Sequence, residues 1–378
     1  MRSISINEIK AGIRFSDDVY IDGDTIFVPK ELPVKQKDID RLKKWGIDTV
    51  QTQGHLIDDD VLKKGDSDIL NEILEAHADT KVLNLYTSSV SKLEKIFNKI
   101  QDDETDIDKK DIDDILGKLL PAIKENKEDM INFIILSGQG KSRLAVSSVN
   151  CAVLSVIIGM EIKFPQQKLY NLAAAALLHD IGMMKIPPDI QQKTGGLEEK
   201  ELKLMKTHPL YSYKIIKEVL KYGDEIGKIA LQHHERWDGK GYPRKLKEKD
   251  IPLLSRIIAV ADAFEAMIST RPYRNSMIGY KAMRQLLNDN SRRFDSNVLK
   301  VFIKTMGIYP IGSIVLLNDA SIGRVIGVHP DAPLRPKIKI IVDAEGNKHP
   351  KSGEKIDLLE KKSLFIAKAI NPEDIEKT

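Results

Sequence analysis

A mainly α-helical domain, preceded by a small α+β module and followed by a small β extension, is the architecture this sequence predicts. Three observations carry that expectation. Through residues 138–308 apolar stretches alternate with charged ones at helical spacing, and β-branched alternation is nearly absent. Strand-like runs gather beyond residue 309. A chain of 378 residues is also long for one core, so two or three domains are expected.

In chain order, residues 1–56 mix strand and helix signals and read as a small α+β module with a packing or regulatory role. TIFV (25–28) and DTVQTQ (48–53) read as strands, while KQKDIDRLKKWG (35–46) sets Ile39, Leu42 and Trp45 at helical spacing before a stop at Gly46. Residues 57–137 form a helical linker and regulatory region, clearest in ILNEILEA (69–76) and SSVSKLEKIFNKI (88–100). The charge run DDETDIDKKDIDD (102–114) reads as a solvated helix face or a linker. Residues 138–308 are the all-helical domain. From 309 to 378, GSIVLLN (312–318), GRVIGV (323–328) and KIKIIVD (337–343) read as strands separated by DAS and the Pro-rich HPDAPLRP, with a turn at AEGN (344–347) and then a charged tail.

Composition narrows the function classes. Net charge is +3 with the two signs well mixed, so no basic face advertises a nucleic-acid partner. The start, MRSISINEIKAG, lacks the apolar core of a signal peptide. The longest apolar runs, CAVLSVIIGM (151–160) and LAAAALL (172–178), are too short to span a bilayer, which points to the cytoplasm. The single cysteine, Cys151, lies inside the first run and reads as core filler rather than a reactive thiol.

The chemistry is concentrated in the helical domain. Random placement of eight histidines in 378 residues gives about 0.17 adjacent pairs, yet LQHHERWDGKGYP (231–243) sets His233 and His234 side by side. Neighbours on a helix point about 100° apart, so the two cannot both fill one core face. His179 is followed at once by Asp180 in LLHDIGMMKIPP, and His208 sits in KTHPL, where Pro209 marks a helix start. Asp262 lies in the helical run RIIAVADAFEAMI between Val260, Ala261, Ala263 and Phe264. A lone carboxylate is costly there unless paired or coordinated. Imidazoles and carboxylates are the usual ligands of divalent transition metals. A carboxylate has two oxygens, so Asp180 can bridge two ions. One ion can take His179, Asp180 and Asp262, the other Asp180, His208, His233 and His234. Two ions about 4 Å apart can share a water, lower its pKa and present it as hydroxide to phosphorus.

These residues also carry a family resemblance. HD (179–180), HHERWDGKGYP (233–243) and RIIAVADAFEAMISTRPYR (256–274) resemble the HD-GYP branch of the HD-domain metal phosphohydrolases, and YPIGSIVLLN (309–318) looks like the extension often found after that domain. The resemblance implies an HD-type helical fold, hydrolysis of cyclic di-GMP to pGpG or GMP, and a centre of two or three divalent transition metals. Iron or manganese is the first expectation, with zinc, nickel or magnesium as alternatives. It further implies an N-terminal module that senses or regulates, a GYP loop able to dock a diguanylate cyclase or another signalling protein, and room for a homodimer. Arg271 and Arg274, in TRPYR, match positions that meet substrate phosphate, a role suited to a guanidinium. Tyr242 would face the substrate. Gly239 and Gly241 read as turn residues and Trp237 as packing.

Two departures from the family pattern matter. Family members place a metal-ligating histidine where this chain has Ser147, in SSVNCAVL (147–154), and three-metal members carry a glutamate where it has Arg143. A guanidinium there would repel a third cation, so two metals are the expected limit. Met183 replaces a lysine thought to contact the scissile phosphate; Lys185, two residues on, compensates only through an altered loop. These losses leave three readings: a phosphodiesterase with a weakened first metal site, a degenerate member that binds cyclic di-GMP or a protein partner without cutting, and a scaffold whose metals only brace the fold.

Overall fold

The computed structural model describes most positions of residues 2–57, then residues 80–104, 107–136, 144–193, 195–269, 279–347, 349 and 353–370. It divides into two units, Met1–Ala76 and His77–Thr378. ILNEILEA (69–76), expected as helix, lies outside the described residues.

The first unit is built on short strands: β1 (Arg2–Ser5), β2 (Arg14–Phe15), β3 (Val19–Ile21), β4 (Thr25–Val28), β5 (Thr49–Thr52) and β6 (Leu56–Ile57). Four of them form an antiparallel sheet in the order β1-β5-β3-β4, and β2 pairs with β6. β5 alternates, with Val50 and Thr52 buried and Thr49 and Gln51 exposed, so one face is left for a core of Ile4, Phe15, Val19 and Leu42. Both expected strands are present. Of the three apolar positions expected on one helical face, Ile39 and Leu42 are buried but Trp45 is 55% exposed.

The second unit opens with α1 (Thr80–Gln101). Its buried residues Val82, Tyr86, Val90, Leu93, Phe97 and Ile100 recur every three or four positions, the stripe that an amphipathic helix lays on a core. The charge run after it is only partly a solvated face. Asp108 caps α2 (Lys109–Glu125) by accepting from the Lys110 amide at 2.8 Å, and Asp113 accepts from the hydroxyls of Tyr170 and Tyr222, each at 2.5 Å. Ile112, Ile115, Leu116 and Leu119 turn inward on the opposite face.

After α3 (Lys127–Leu136) comes α4 (Leu144–Glu161), which is apolar on every side and packs against α1, α5 (Gln166–Leu178) and later helices. This helix is longer than the apolar run counted in the sequence, and by length and composition alone it could cross a membrane. Yet 72% of it is buried within the unit, as expected for a central core helix. Short helices follow: α6 (Pro188–Gln191), α7 (Glu199–Met205), α8 (His208–Lys214) and α9 (Asp224–Leu231). Then come the long α10 (Leu253–Ile268), α11 (Gly279–Asn288) and α12 (Ser296–Met306). α10 packs on α4, with Phe264 against Phe302 of α12 at 5.0 Å between ring centres.

The C-terminal strands β7 (Ile314–Leu317), β8 (Ile322–Gly327), β9 (Lys337–Val342), β10 (Lys355–Asp357) and β11 (Ile366–Ile370) make an antiparallel sheet in the order β10-β9-β8-β7-β11. Val315, Leu317, Val325, Ile338 and Leu358 fill its core. The expected charged tail therefore contains two strands. Both sit at sheet edges, where lysines are tolerated and the hydrophobic signal is weak.

Candidate metal centre

Four segments converge on one point. The buried run Leu172–Leu178 ends α5, and the chain leaves the helix at His179 and Asp180 into a tight 3₁₀ turn over Ile181–Lys185. His208 opens α8, with Pro209 in its first turn as the sequence suggested. His233 and His234 lie just past α9 rather than on a helix, so a turn aims both rings inward, 3.9 Å apart between centres. Asp262 sits mid-way along α10, its neighbours Val260, Ala261 and Phe264 fully buried.

Ligand atoms of Asp180, His208, His233 and His234 lie within 4.8 Å of one another, and so do those of His179, Asp180 and Asp262. Asp180 belongs to both groups. Its Oδ1 is 3.1 Å from His208 Nε2 and 3.4 Å from His233 Nε2, while its Oδ2 is 3.5 Å from His179 Nε2. His179 Nε2 is also 3.7 Å from Asp262 Oδ1.

The tautomers are set by the backbone. Nδ1 of His179, His208 and His233 lies 2.7, 2.7 and 2.6 Å from the carbonyls of Ala176, Met205 and Ala230, each three residues earlier. A carbonyl only accepts, so each Nδ1 carries a proton and each ring turns its Nε2 inward towards Asp180. His208 Nε2 and His234 Nε2 then face each other at 3.1 Å. His179 Nε2, His233 Nε2 and Asp180 Oδ1 are buried with no hydrogen-bond partner. Buried polar atoms are rarely left so, and this convergence of imidazole nitrogens and carboxylate oxygens fits divalent cations.

The electrostatics suit ligation at Asp180, Asp262, His233 and His234. Burial pushes the Asp180 and Asp262 carboxyls up, but the histidines around them outweigh it and hold both below the usual carboxylate range. Burial and the neighbouring imidazoles hold His233 and His234 below the ordinary histidine value. Burial lowers His179 as well, yet Asp180 and Asp262 lift it to about 9. Ionised carboxylates and neutral imidazoles are the forms that ligate metal, so His179 must give up its second proton as a cation binds.

The candidate substrate contacts divide. The Tyr242 ring lies 4.7 Å from that of His234 and 6.5 Å from that of His208, at the edge of the second ligand group. Lys185 is committed elsewhere: its ammonium donates to the Ile100 carbonyl at 2.6 Å and pairs with Asp103, both at the end of α1. Arg271 and Arg274, together with Arg143, lie outside the described residues. Trp237 packs under the Arg256 guanidinium, 5.6 Å from its ring centre. Two glycines permit close backbone approach. A Cβ on Gly182 would fall 2.1 Å from the His208 carbonyl oxygen, and one on Gly241 would fall 2.4 Å from the Arg236 amide.

Two supporting features escaped the sequence reading. Glu235, beside the histidine doublet and buried, accepts from the amides of Arg244 at 2.6 Å and Leu246 at 3.0 Å, folding the GYP loop back onto the doublet. A buried polar chain runs from the Tyr86 hydroxyl to Asn150, on to Glu265 one turn after Asp262, and to Ser269. Glu265 carried the same signal as Asp262, an acid in an apolar helix. The other members are polar residues brought together only by tertiary packing.

Comparison with known proteins places these elements. The family description for the HD domain matches residues 132–298, and that for the KOW domain associated with HD domain matches residues 314–378. The chain is 29% identical over 365 residues to cyclic di-GMP phosphodiesterase PdeB of Borreliella burgdorferi, covering 94% of this chain and 92% of that protein. It is 29% identical over 252 residues to cyclic di-GMP phosphodiesterase PA4108 of Pseudomonas aeruginosa, covering 67% of this chain and 60% of that one. A cyclic di-GMP phosphodiesterase of Thermotoga maritima is 40% identical over 155 residues, 40% of this chain and 41% of its own. The match therefore spans less than two thirds of the latter two proteins.

Proposed function

We propose that the chain, whose HD domain resembles the HD-GYP branch, is a metal-dependent phosphodiesterase that opens cyclic di-GMP to pGpG, or cuts on to GMP, in the cytoplasm. The observation that carries this reading is the pair of ligand groups overlapping at Asp180. His179, Asp180 and Asp262 would hold one divalent cation, and Asp180, His208, His233 and His234 the other. Iron or manganese suits such a nitrogen and oxygen set, with zinc, nickel or magnesium able to substitute. When bound, the pair supplies an activated water and positive charge at phosphorus.

The chain's own residues do the rest. Backbone carbonyls of Ala176, Met205 and Ala230 fix three imidazoles with Nε2 pointing inward, so no reorientation is needed when cations or substrate arrive. Asp180 stays ionised and keeps both oxygens available, one towards each ligand group. Tyr242 covers the edge of the second group. Arg271 and Arg274 would meet the substrate phosphates. The first group has three residues and the second four, so the first cation is held more weakly, consistent with Ser147 in place of a further ligand.

The test is a product assay on cyclic di-GMP with Mn²⁺ or anaerobic Fe²⁺, run beside His233→Ala. Removing an outer partner of a metal ligand costs about 10- to 100-fold in affinity or activity, so removing a ligand should cost at least that. Cleavage that survives His233→Ala would discard the proposed centre. Tight binding of cyclic di-GMP without product would identify a non-hydrolysing receptor, and neither binding nor product would leave the scaffold reading.

A further inference from the structure

A cyclic dinucleotide carries two phosphodiesters, and a centre that cuts one must leave the other to be held by something else. Several basic side chains on the metal-ligand segments and beside them are engaged. Lys185 is tied to Ile100 and Asp103, Lys193 to Glu201, Lys203 to Glu199, Arg236 to Asp238 and Arg256 to Asp295.

Lys206 is set apart by its place over a ring of the site. It stands two residues before His208, on the turn between α7 and α8, and its side chain is exposed. It makes no ion pair among the described residues. Its ammonium instead lies over the Tyr242 ring, 5.5 Å from the centre, and that ring lies 4.7 Å from His234. The ammonium and a ligand of the second group therefore pack against the same aromatic ring. A cation–π contact at an exposed site is weak, and a free ammonium near a divalent-cation centre is repelled by it. The arrangement becomes favourable when an anion lies between them.

We propose that Lys206 is a substrate-binding residue that pairs with the phosphate of the cyclic dinucleotide that is not being cut, beside the Tyr242 ring at the rim of the metal centre. The assignment rests on the phosphodiester reading above. Lys206 touches substrate but not the reacting atoms, so it acts on affinity rather than on the chemical step. An ammonium–phosphate contact at an exposed rim is also weakened by salt.

The experiment compares wild type, Lys206→Met and Lys206→Arg on two substrates: cyclic di-GMP, with two phosphates, and bis(p-nitrophenyl) phosphate, with one. Because Lys206 is exposed, the substitutions leave the fold intact, and manganese content by elemental analysis verifies the centre. The KM for cyclic di-GMP, divided by that for bis(p-nitrophenyl) phosphate, should rise about tenfold in Lys206→Met, a loss of about 1.4 kcal/mol. Lys206→Arg should restore most of it, and the effect should shrink at high salt. An unchanged ratio in Lys206→Met, with wild type cutting cyclic di-GMP, would overturn the assignment alone. A wild-type protein that cuts bis(p-nitrophenyl) phosphate but leaves cyclic di-GMP whole would overturn both readings.

Discussion

Gly182→Ala tests how tightly the two halves of the ligand cluster are held together. Gly182 lies two residues after Asp180, and its amide donates to Ser212 Oγ of α8 at 2.9 Å. The new methyl carbon would stand 2.1 Å from the His208 carbonyl oxygen and 2.4 Å from the Ser212 amide nitrogen. Ordinary carbon–oxygen contacts begin at about 3.3 Å, so the turn bearing Asp180 and the helix bearing His208 must part by about 1 Å. Both atoms met are backbone, so no side chain can swing away. Asp180 Oδ1 is now 3.1 Å from His208 Nε2, and metal–ligand lengths tolerate only about 0.2 Å. A misplacement of about 1 Å costs on the order of 100-fold in rate, and forcing an extra methyl into a packed interior costs about 1–3 kcal/mol. Manganese titration of activity, with urea unfolding alongside, should therefore show a large loss of cation affinity with a modest loss of stability. A Gly182→Ala protein that loads manganese like wild type would refute the reasoning.

Three further outcomes are expected. His179 in the cation-free protein is held at about 9, above its ordinary value, so at pH 7.5 a cation must displace its proton; manganese affinity should rise with pH until about 9 and then level, with proton release seen by calorimetry in two buffers. The same shift stabilises the cation-free fold below about pH 6.5, and that contribution should fade as pH climbs through 9. Ser147→His should increase occupancy of the more weakly held cation: Asn150, three residues further along α4, donates to Glu265, three residues after Asp262, which sets this stretch of α4 beside the first ligand group; unchanged loading would remove the weakened-site account. Gly117→Ala, on the exposed side of α2 with open space around the added methyl, should stabilise the fold by about 0.5–1 kcal/mol in urea unfolding.

The ligand cluster was legible because its residue types are expensive anywhere else. A histidine doublet, a His-Asp step and an acid in an apolar helix each limit their own explanations, and together they pointed to one place. What the pattern did not carry was direction. The doublet was read against helical geometry, yet a turn past α9 presents it. Lys185 could reach phosphate only through an altered loop, and its ammonium instead meets Ile100 and Asp103, at and just past the end of α1 and more than eighty residues earlier in the chain, a contact that only tertiary packing creates. β10 and β11 were read as charged tail because three- and five-residue edge strands carry lysines and bury little. Apolar periodicity found the long helices more readily than the short ones, α6 to α8, which follow turn chemistry and capping such as the Glu198–Glu201 capping box of α7.

The central claim is that one carboxylate, Asp180, holds two cations side by side. Anomalous diffraction from crystals soaked in manganese tests it most directly. Two peaks about 4 Å apart on either side of Asp180, the stronger beside His208, His233 and His234, are the predicted result. A single peak, or none among these side chains after soaking, would contradict it.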